Sequence, residues 1–251
     1  MTDPCQFLPW DSNFFDLRIA RVNGNQLSDD FMKVIMSWCE QNQVDCLYFL
    51  ANPQDIHTVK LAEDHHFHLV DIRVTQAWNN SEASIDQGIP RYVSIRPYVS
   101  EDLPDIRKIA SKIFVFTRFY SDPCFPRDRV ERFYDTWIKN SCEGYADQVL
   151  IAQVDHLPVG FITCHNKPNL KEGEIGLIGV SEGSRGQGIG KSLVNAALHW
   201  FIEHGSQKVT IVTQGTNIPG LTVCQRVGFC TSSVQLWYHK WFKPCGTDII
   251  L

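Results

Sequence analysis

The sequence predicts an α/β fold of the α+β type, in which a central mixed, largely antiparallel sheet is flanked by helices and preceded by a small N-terminal α/β unit. Three observations predict this fold. Segments with apolar residues at helical spacing alternate with short apolar runs that end in turn residues. A tight turn at Asp155-His156 favours an antiparallel hairpin between two of those runs. An apolar run, a glycine-rich loop and a helical stripe follow one another over 173–205.

The N-terminal part of the chain predicts alternating helices and strands. A cluster of capping residues, Ser28-Asp29-Asp30, precedes the first helical stripe. In chain order we predict a helix over 31–43, a strand over 44–51, a helix over 55–66 and a strand over 67–78. The polar stretch 79–90 lacks periodicity and ends in Gly and Pro, which is typical of a linker. We therefore predict an N-terminal domain over 1–85 and a second domain over 92–251.

The second domain carries more strands than helices. Apolar spacing and turn residues predict each element, and Gly205 is the predicted C-cap of the longest C-terminal helix. In chain order we predict a strand that runs into a helix start over 92–103, helices over 104–114 and 127–141, strands over 148–155, 157–165 and 173–180, a helix over 191–205, a strand over 208–214, a short helix within 217–229 and a terminal strand over 233–242.

Composition limits the class of protein. The 251 residues are 43% hydrophobic and 20% charged, as in a soluble globular protein, and the net charge of −5 argues against a nucleic-acid partner. The start has no basic n-region, and no run approaches the roughly 20 apolar residues of a membrane helix. Nine scattered cysteines without a C-x-x-C pair favour a reduced, cytoplasmic compartment. The histidines at 65, 66 and 68 lack a recognisable ligand spacing, so we predict no metal site.

The stretch SRGQGIGKS (184–192) resembles two nucleotide motifs and matches neither. A nucleoside-triphosphate P-loop requires Gly where the chain has Arg185, and the three glycines are spaced G-x-G-x-G rather than G-x-G-x-x-G. Backbone N–H groups at a helix start nevertheless bind anions, and glycines let the backbone approach them. Arg185 can add charge-assisted hydrogen bonds. We predict a phosphate-binding loop; the alternative is a glycine-rich turn without a ligand.

The loop and its flanks resemble the GNAT acetyltransferase superfamily, over roughly 92–242. Residues 185–190 fit its Q/R-x-x-G-x-G/A pattern between a strand and a helix, and Asn217 followed by Gly228-Phe229 fits a second pattern near its end. The resemblance implies acetyl-CoA as co-substrate. The implied cofactor-binding residues are Ile178, Gly179 and Val180 for the pantetheine arm, Arg185, Gly186, Gln187, Gly188, Ile189, Gly190 and Lys191 for the pyrophosphate, and Asn217.

A second resemblance concerns the acetyl acceptor. The opening over 8–23 and the segment 114–140 are similar to GNAT enzymes of the dTDP-fucosamine acetyltransferase type, which act on nucleotide-linked amino-deoxy sugars. This implies a small-molecule amine as partner and a cleft with aromatic and basic groups. The implied substrate-binding residues are Phe14, Phe15, Arg118, Phe119 and Tyr134.

Three residues are candidates for acid–base chemistry. The resemblance implies that Glu174, near the start of its strand, acts as a base through water, and that Asp71 is a carboxylate brought toward the sugar; either is alternatively an exposed strand-end charge. The superfamily usually has Tyr four residues before the Gly of G-F, and this chain has Cys224 there. A thiol, with a reference pKa of about 8.5, is a stronger acid than a phenol at about 10. The alternative is a small core residue, with the proton supplied by water.

Two other functions stay open at this point. One is a GNAT enzyme that acts on a peptide, protein or antibiotic amine, which an acidic acceptor groove would favour. The other is a non-catalytic acyl-CoA-binding module, for which Cys224 in place of Tyr is the main support. The terminal stretch 237–242 either pairs across a homodimer as an edge strand or lies inside the sheet.

Overall fold

The structure, a computed structural model, describes residues 3–80, 90–114 and 117–244. Within them the chain divides into two units. The first unit contains residues 3–73, 117–130 and 234–244, and the second contains 74–80, 90–114 and 131–233. Residues 81–89 of the predicted linker lie outside the described part, and the domain bounds at 85 and 92 stay a prediction.

The helices and strands confirm the predicted order and add four short elements that were not predicted, three before residue 23 and one at Arg118–Ser121. The strands are β1 (Cys5–Phe7), β2 (Ile19–Val22), β3 (Cys46–Ala51), β4 (His68–Asn79), β5 (Ser94–Pro97), β6 (Gln148–Val154), β7 (Leu157–Lys167), β8 (Glu172–Val180), β9 (Lys208–Gln214) and β10 (Cys230–Trp241). The helices are α1 (Pro9–Phe15), α2 (Asp29–Gln41), α3 (Ile56–Asp64), α4 (Leu103–Ile113), α5 (Arg118–Ser121), α6 (Arg127–Asn140), α7 (Ile189–Glu203) and α8 (Ile218–Arg226).

Local hydrogen bonds explain where the N-terminal helices begin. The Ser28 side chain accepts the N–H of Phe31 at the start of α2, and the Asp55 carboxylate accepts the N–H of Thr58 at the start of α3. Each cap satisfies a backbone donor that has no partner inside the helix. The capping cluster that predicted α2 therefore has the predicted role.

Positive φ angles explain the hairpin and both ends of α7. Asp155 and His156 have φ of 49° and 65°, as in the two-residue hairpin turn that matches strand twist, so the predicted hairpin of β6 and β7 is confirmed. Helix α7 begins at Ile189 rather than at the predicted 191, because Gly188 adopts φ 81° and serves as the N-cap. At its other end His204 is the C-cap and Gly205, with φ 83°, is the residue after it.

The first unit contains a mixed sheet. Strands β1 and β2 are antiparallel, β2 and β3 are parallel, and residues 236–241 of β10 pair antiparallel with β3. The terminal stretch therefore lies inside the sheet, between β3 and β4 in the strand order, which is the second of the two predicted alternatives. Apolar side chains of α2 and α3 pack on β3 as the core, among them Met32, Ile35 and Leu61.

The second unit has antiparallel pairs between β5, β6, β7 and β8, and a parallel pair between β8 and β9. Helix α7 packs on the face that carries Ile162 and Cys164 of β7. Helix α4 covers the other face, because a side chain at Gly179 would overlap both Ile113 of α4 and Phe161. This mixed, largely antiparallel sheet with helices on both faces confirms the predicted fold class.

Two features are absent from the described residues. No helix in 3–80, 90–114 or 117–244 has the length and apolar character needed to cross a membrane. Nor does the same part of the chain bring three or more His, Cys, Asp or Glu side chains together as a group that could hold a metal ion.

Candidate functional site

Residues 181–191 form a glycine-rich turn after β8 together with the first residues of α7, and are here called the phosphate loop. A short 3-10 turn at Glu182–Ser184 is followed by Gly186 and Gly188, with φ of 76° and 81°. Side chains strain this left-handed backbone, which explains the glycine spacing. Helix α7 then starts, and the N–H groups of its first turn have no intrahelical acceptor. The loop therefore presents backbone donors and the positive end of a 15-residue helix to an anion.

Three side chains fix the shape of the phosphate loop. The Tyr92 hydroxyl donates to the carbonyl oxygen of Gln187 over 2.9 Å. The Gln187 amide donates to the carbonyl of Gly183 over 3.3 Å, and Arg185 Nε donates to the carbonyl of Val180 over 3.4 Å. These bonds pair the carbonyl oxygens of Val180, Gly183 and Gln187 with protein donors. Tyr92 was not predicted as a site residue, because it lies 93 positions before the loop's Arg185 by sequence and belongs to no local motif.

The edge of β8 that leads into the loop is open on the β9 side. The pairs between β8 and β9 run from Glu172–Lys208 to Ile175–Ile211, although both strands continue further. On the opposite side β7 pairs with β8 up to Val180. Among the described residues, 178–180 thus keep one edge without a β9 partner, here called the free edge. An extended ligand can hydrogen-bond there as an added strand.

Glu174 lies just before the free edge. Its Oε2 atom is 2.5 Å from Lys167 Nζ, and the side chain is 40% exposed. Its neighbours Gly173 and Ile175 face α7, where Phe201 packs against Gly173, so the alternation of a strand turns Glu174 to the other face. The structure thus pairs the predicted base with an ammonium group.

Cys224 and Asn217 both lie at α8. The Cys224 side chain belongs to the core of the second unit, and burial raises the pKa of its thiol to about 12. This burial supports the alternative that Cys224 is a core residue. Asn217 is the N-cap of α8: its side-chain oxygen accepts the N–H of Gly220 over 3.2 Å, and its amide donates to Thr213 over 2.8 Å. Asn217 thus caps α8, and its contact with the cofactor stays a prediction.

Arg118 is the centre of a cluster in the first unit, here called the Arg118 cluster. Its guanidinium carbon lies 4.1 Å from the ring centroid of Phe119, 4.2 Å from that of Trp237 and 5.2 Å from that of Tyr48. Asp11 Oδ2 lies 3.9 Å from Arg118 Nη2, which is at the long end of ion-pair distances. Aromatic faces hold a cation in this way without using its N–H donors. The members of the Arg118 cluster are Asp11, Tyr48, Asp71, Arg118, Phe119 and Trp237.

Two polar atoms in the Arg118 cluster lack partners. Arg118 Nε and the Tyr48 hydroxyl are buried and have no hydrogen-bond partner within the described part of the chain. Tyr48 is fully buried. An unpaired buried donor costs roughly 1–3 kcal/mol, and neither atom is open to a ligand. The Arg118 side chain is nevertheless 22% exposed, so the remaining N–H groups of its guanidinium are the polar groups of the cluster that face outward.

A chain of hydrogen bonds holds Trp237 in place. Its indole Nε1 donates to His239 Nε2 over 3.0 Å, and His239 Nδ1 lies 2.7 Å from Asp122 Oδ2. Trp241 Nε1 donates to the same carboxylate oxygen over 2.9 Å. Burial lowers the pKa of His239 to about 4. Burial acts to raise the pKa of Asp122, but the hydrogen bonds from His239 and Trp241 outweigh it, and that pKa is lowered.

Asp71 and Arg118, both predicted site residues, lie together in the first unit. The Asp71 carboxylate accepts the N–H of Ile72 over 2.7 Å, and the backbone of Arg118 also hydrogen-bonds to it. Burial raises the pKa of Asp71, against the effects of these hydrogen bonds and of the Arg118 charge. The half-buried carboxylate therefore has an apolar side and a cationic side.

Three of the four predicted aromatic residues, Phe15, Phe119 and Tyr134, are buried, and Phe14 is half-buried. Phe15 and Phe119 are each 1% exposed, and their ring centroids are 5.0 Å apart. Phe14 stacks on Trp10 at 5.3 Å. Tyr134 lies in the second unit, where it stacks on Phe114 at 4.4 Å. The aromatic residues thus pack against other aromatic side chains, and their contact with a substrate stays a prediction.

The fold and the phosphate loop define an α/β protein in which a glycine-rich turn connects a strand to the start of a helix. A model of the Acetyltransferase (GNAT) family matches residues 104–229, half of the chain. The chain belongs to that family, which confirms the resemblance given by the loop.

Individual relatives are more distant. The chain is 23% identical over 152 residues to the spore coat polysaccharide biosynthesis protein SpsD of Bacillus subtilis (strain 168), covering 61% of this chain and 52% of that one. It is 32% identical over 75 residues to a mycothiol acetyltransferase of Corynebacterium glutamicum, covering 30% and 25%. The chain thus spans about half or less of the length of these relatives.

Solved structures share the fold. A GCN5-related N-acetyltransferase from Sphaerobacter thermophilus has a TM-score of 0.70 and 15% identity, covering 96% of this chain and 76% of that one. At this identity the likeness concerns the fold alone, and it agrees with the mixed sheet of the second unit.

Proposed function

We propose that the chain is an acetyl-CoA-dependent N-acetyltransferase, which moves an acetyl group to the amine of a small molecule by direct attack. The observation that carries this proposal is the free edge of β8 leading into the phosphate loop. An extended edge suits the amides of a pantetheine arm, and a helix start suits the pyrophosphate that follows it. Membership of the Acetyltransferase (GNAT) family supports the same activity.

Different residues bind the co-substrate and act on the acceptor in this reaction. The backbone of 186–191 and Arg185 hold the pyrophosphate, while 178–180 align the pantetheine arm. Acetyl-CoA supplies the thioester carbon that the amine attacks. Glu174 is the candidate base that the resemblance implies, acting on the acceptor through water. Because Cys224 is a buried thiol with a raised pKa, we assign the proton for the departing thiolate to solvent.

We propose the amine of a nucleotide-linked amino-deoxy sugar as the acceptor, with the Arg118 cluster as part of its binding site. The similarity of 8–23 and 114–140 to dTDP-fucosamine acetyltransferases supports this, and the Arg118 side chain, which is 22% exposed, offers guanidinium N–H donors to sugar or phosphate oxygens. The relative SpsD is named for polysaccharide biosynthesis, which agrees with an acceptor from sugar metabolism. A cytoplasmic location and a homodimer stay predictions of the sequence.

The charge around Arg118 favours a second candidate. Three carboxylates, those of Asp11, Asp71 and Asp122, lie in or next to the cluster with one guanidinium. A local excess of carboxylates over guanidinium suits a cationic amine without phosphate groups, such as a peptide, protein or antibiotic amine. The third candidate is an acyl-CoA-binding module without turnover, which the buried Cys224 favours.

Release of free thiol from acetyl-CoA separates the three candidates. The protein is incubated with acetyl-CoA and matched panels of amino-sugar nucleotides, peptides and aminoglycosides, and acetyl-CoA binding is measured by calorimetry. We expect release with an amino-sugar nucleotide. Thiol release only with peptides or aminoglycosides would support the second candidate, an enzyme that acts on a peptide, protein or antibiotic amine. Tight acetyl-CoA binding without thiol release from any panel would support the third candidate, the acyl-CoA-binding module.

A further inference from the structure

His165 is a titratable side chain of β7 that has no role in the acetyl transfer described above. It pairs in register with Glu174 of β8, so the two residues are direct cross-strand neighbours. Such pairs have side chains within about 4.5–5.5 Å at Cβ. His165 thus lies beside the predicted base, on the sheet face that α4 covers in part.

The absence of a side chain at Gly176 leaves room for the imidazole of His165. A Cβ atom at position 176 would lie 2.7 Å from His165 Nε2 and 2.9 Å from Thr163 Oγ1. The ring therefore lies over the backbone of Gly176, one residue beyond Ile175, where the pairs with β9 end. Nε2 thus lies over Gly176, two residues before the free edge. A pantetheine arm on 178–180 with its pyrophosphate at the loop after Val180 would have its thioester end on this side of the edge.

A β-bulge keeps this arrangement rigid. The register of β7 and β8 shifts between Ile162 and Cys164, and the fully buried Thr163 accepts the N–H of Leu177 over 2.8 Å. Bulges of this kind redirect side chains next to active sites. The hydroxyl of Thr163 thus fixes the strand beneath His165.

The surroundings of His165 suit a proton acceptor. Burial lowers the pKa of His165, and the charge of Lys167 acts in the same direction, while Glu174, Asp147 and the backbone of Tyr145 oppose them. The net pKa is lowered, so the ring is neutral near pH 7, and a neutral imidazole has one acceptor nitrogen. The Glu174 carboxylate, by contrast, is engaged by Lys167 Nζ at 2.5 Å.

We propose that His165, through Nε2, takes the proton from the acceptor's ammonium group in place of Glu174, and that Glu174 stabilises the imidazolium that forms. This proposal rests on the proposed acetyltransferase function and names its acceptors as amines that are protonated at neutral pH. The ammonium loses one proton to His165, and the neutral nitrogen forms a bond to the thioester carbon. The carbon–sulfur bond breaks with its electron pair on sulfur. The second nitrogen proton leaves as the amide forms and the thiolate takes up one proton, while His165 returns its proton to solvent.

The test compares His165→Asn with a matched control, His156→Asn, at the exposed turn between β6 and β7. The pH dependence of kcat/KM is measured with the amine that releases most thiol. We expect the wild type to lose activity at acid pH as His165 protonates. His165→Asn should lose that acid limb and about 10²–10⁴-fold in kcat/KM, with the Kd of acetyl-CoA unchanged. His156→Asn should behave as the wild type.

A second variant, Gly176→Ala, keeps the imidazole but fills the space that the ring occupies. Gly176→Ala puts a methyl group against Nε2, so we expect a similar loss of kcat/KM with acetyl-CoA binding retained. An acid limb and kcat/KM that persist in His165→Asn overturn the His165 proposal and leave the proposed function intact. Absence of thiol release by the wild type with every amine overturns both.

Discussion

Trp237 donates its indole hydrogen to Nε2 of His239, and this bond sets the tautomer of a fully buried histidine. An indole nitrogen is only a donor, so Nε2 must be an acceptor and Nδ1 must carry the proton. That proton is directed to Asp122, 2.7 Å away. His239 is therefore neutral in the folded chain, and Trp237, the ring that supports Arg118, is fixed by a network rather than by packing alone.

The neutral His239 predicts a stability that falls in acid. Burial lowers its folded pKa to about 4, whereas an unfolded histidine titrates near about 6.5. Between these values the unfolded state binds the extra proton, so the free energy of unfolding rises with pH and is lost as pH falls from about 6.5 towards 4. We expect a loss on the order of 3 kcal/mol between pH 7 and 4, measured by urea unfolding.

His239→Gln is the variant that isolates this effect. Its amide can still donate to Asp122 and accept from Trp237, but it does not titrate. The variant should therefore lose less stability between pH 7 and 4 than the wild type, although the lowered pKa of Asp122 gives both proteins some loss in the same direction. Equal slopes in the two proteins would contradict a neutral His239.

The phosphate loop predicts different effects for two of its glycines. Gly186 has φ 76°, and a left-handed backbone costs about 1–2 kcal/mol with a side chain, so Gly186→Ala should distort the loop. We expect the Kd of acetyl-CoA, measured by calorimetry, to rise about 5- to 30-fold. Gly183→Ala is the matched control, because a Cβ at Gly183 meets no atom within 4 Å in the described chain and its φ is not positive. Equal Kd values for the two variants would exclude this role of the loop.

Cys224→Ala should affect stability rather than catalysis. The thiol is 3% exposed in the core, and its raised pKa makes it a poor proton donor to a thiolate. We expect kcat to stay within about twofold while the free energy of unfolding falls by roughly 1 kcal/mol, as for loss of a small buried group. A large fall in kcat at unchanged acetyl-CoA Kd would instead restore Cys224 as the acid.

The sequence predicted the phosphate loop well and the Arg118 cluster only in part. The loop is contiguous, and the φ angles of Gly186 and Gly188 are a local requirement that the glycine spacing reflects. The cluster combines side chains from α1, β3, β4, α5 and β10, so no spacing connects Asp11, Tyr48 and Trp237 to Arg118. His165 and Gly176 were missed for a related reason: their relationship depends on strand register, which the bulge between β7 and β8 alters.

Replacement of Arg118 by Lys tests whether the Arg118 cluster binds the acceptor. Lysine keeps the charge but loses the planar group that lies against Phe119 and Trp237, an interaction of roughly 0.5–2 kcal/mol. We expect the acceptor KM to rise about 2- to 30-fold, with the acetyl-CoA Kd unchanged, in steady-state thiol-release assays. Arg127→Lys is the control, because Arg127 lies 4.4 Å over Tyr120 in the same unit but outside the cluster. If both variants raise KM equally, the effect is one of general charge or packing, and the cluster is not the acceptor site.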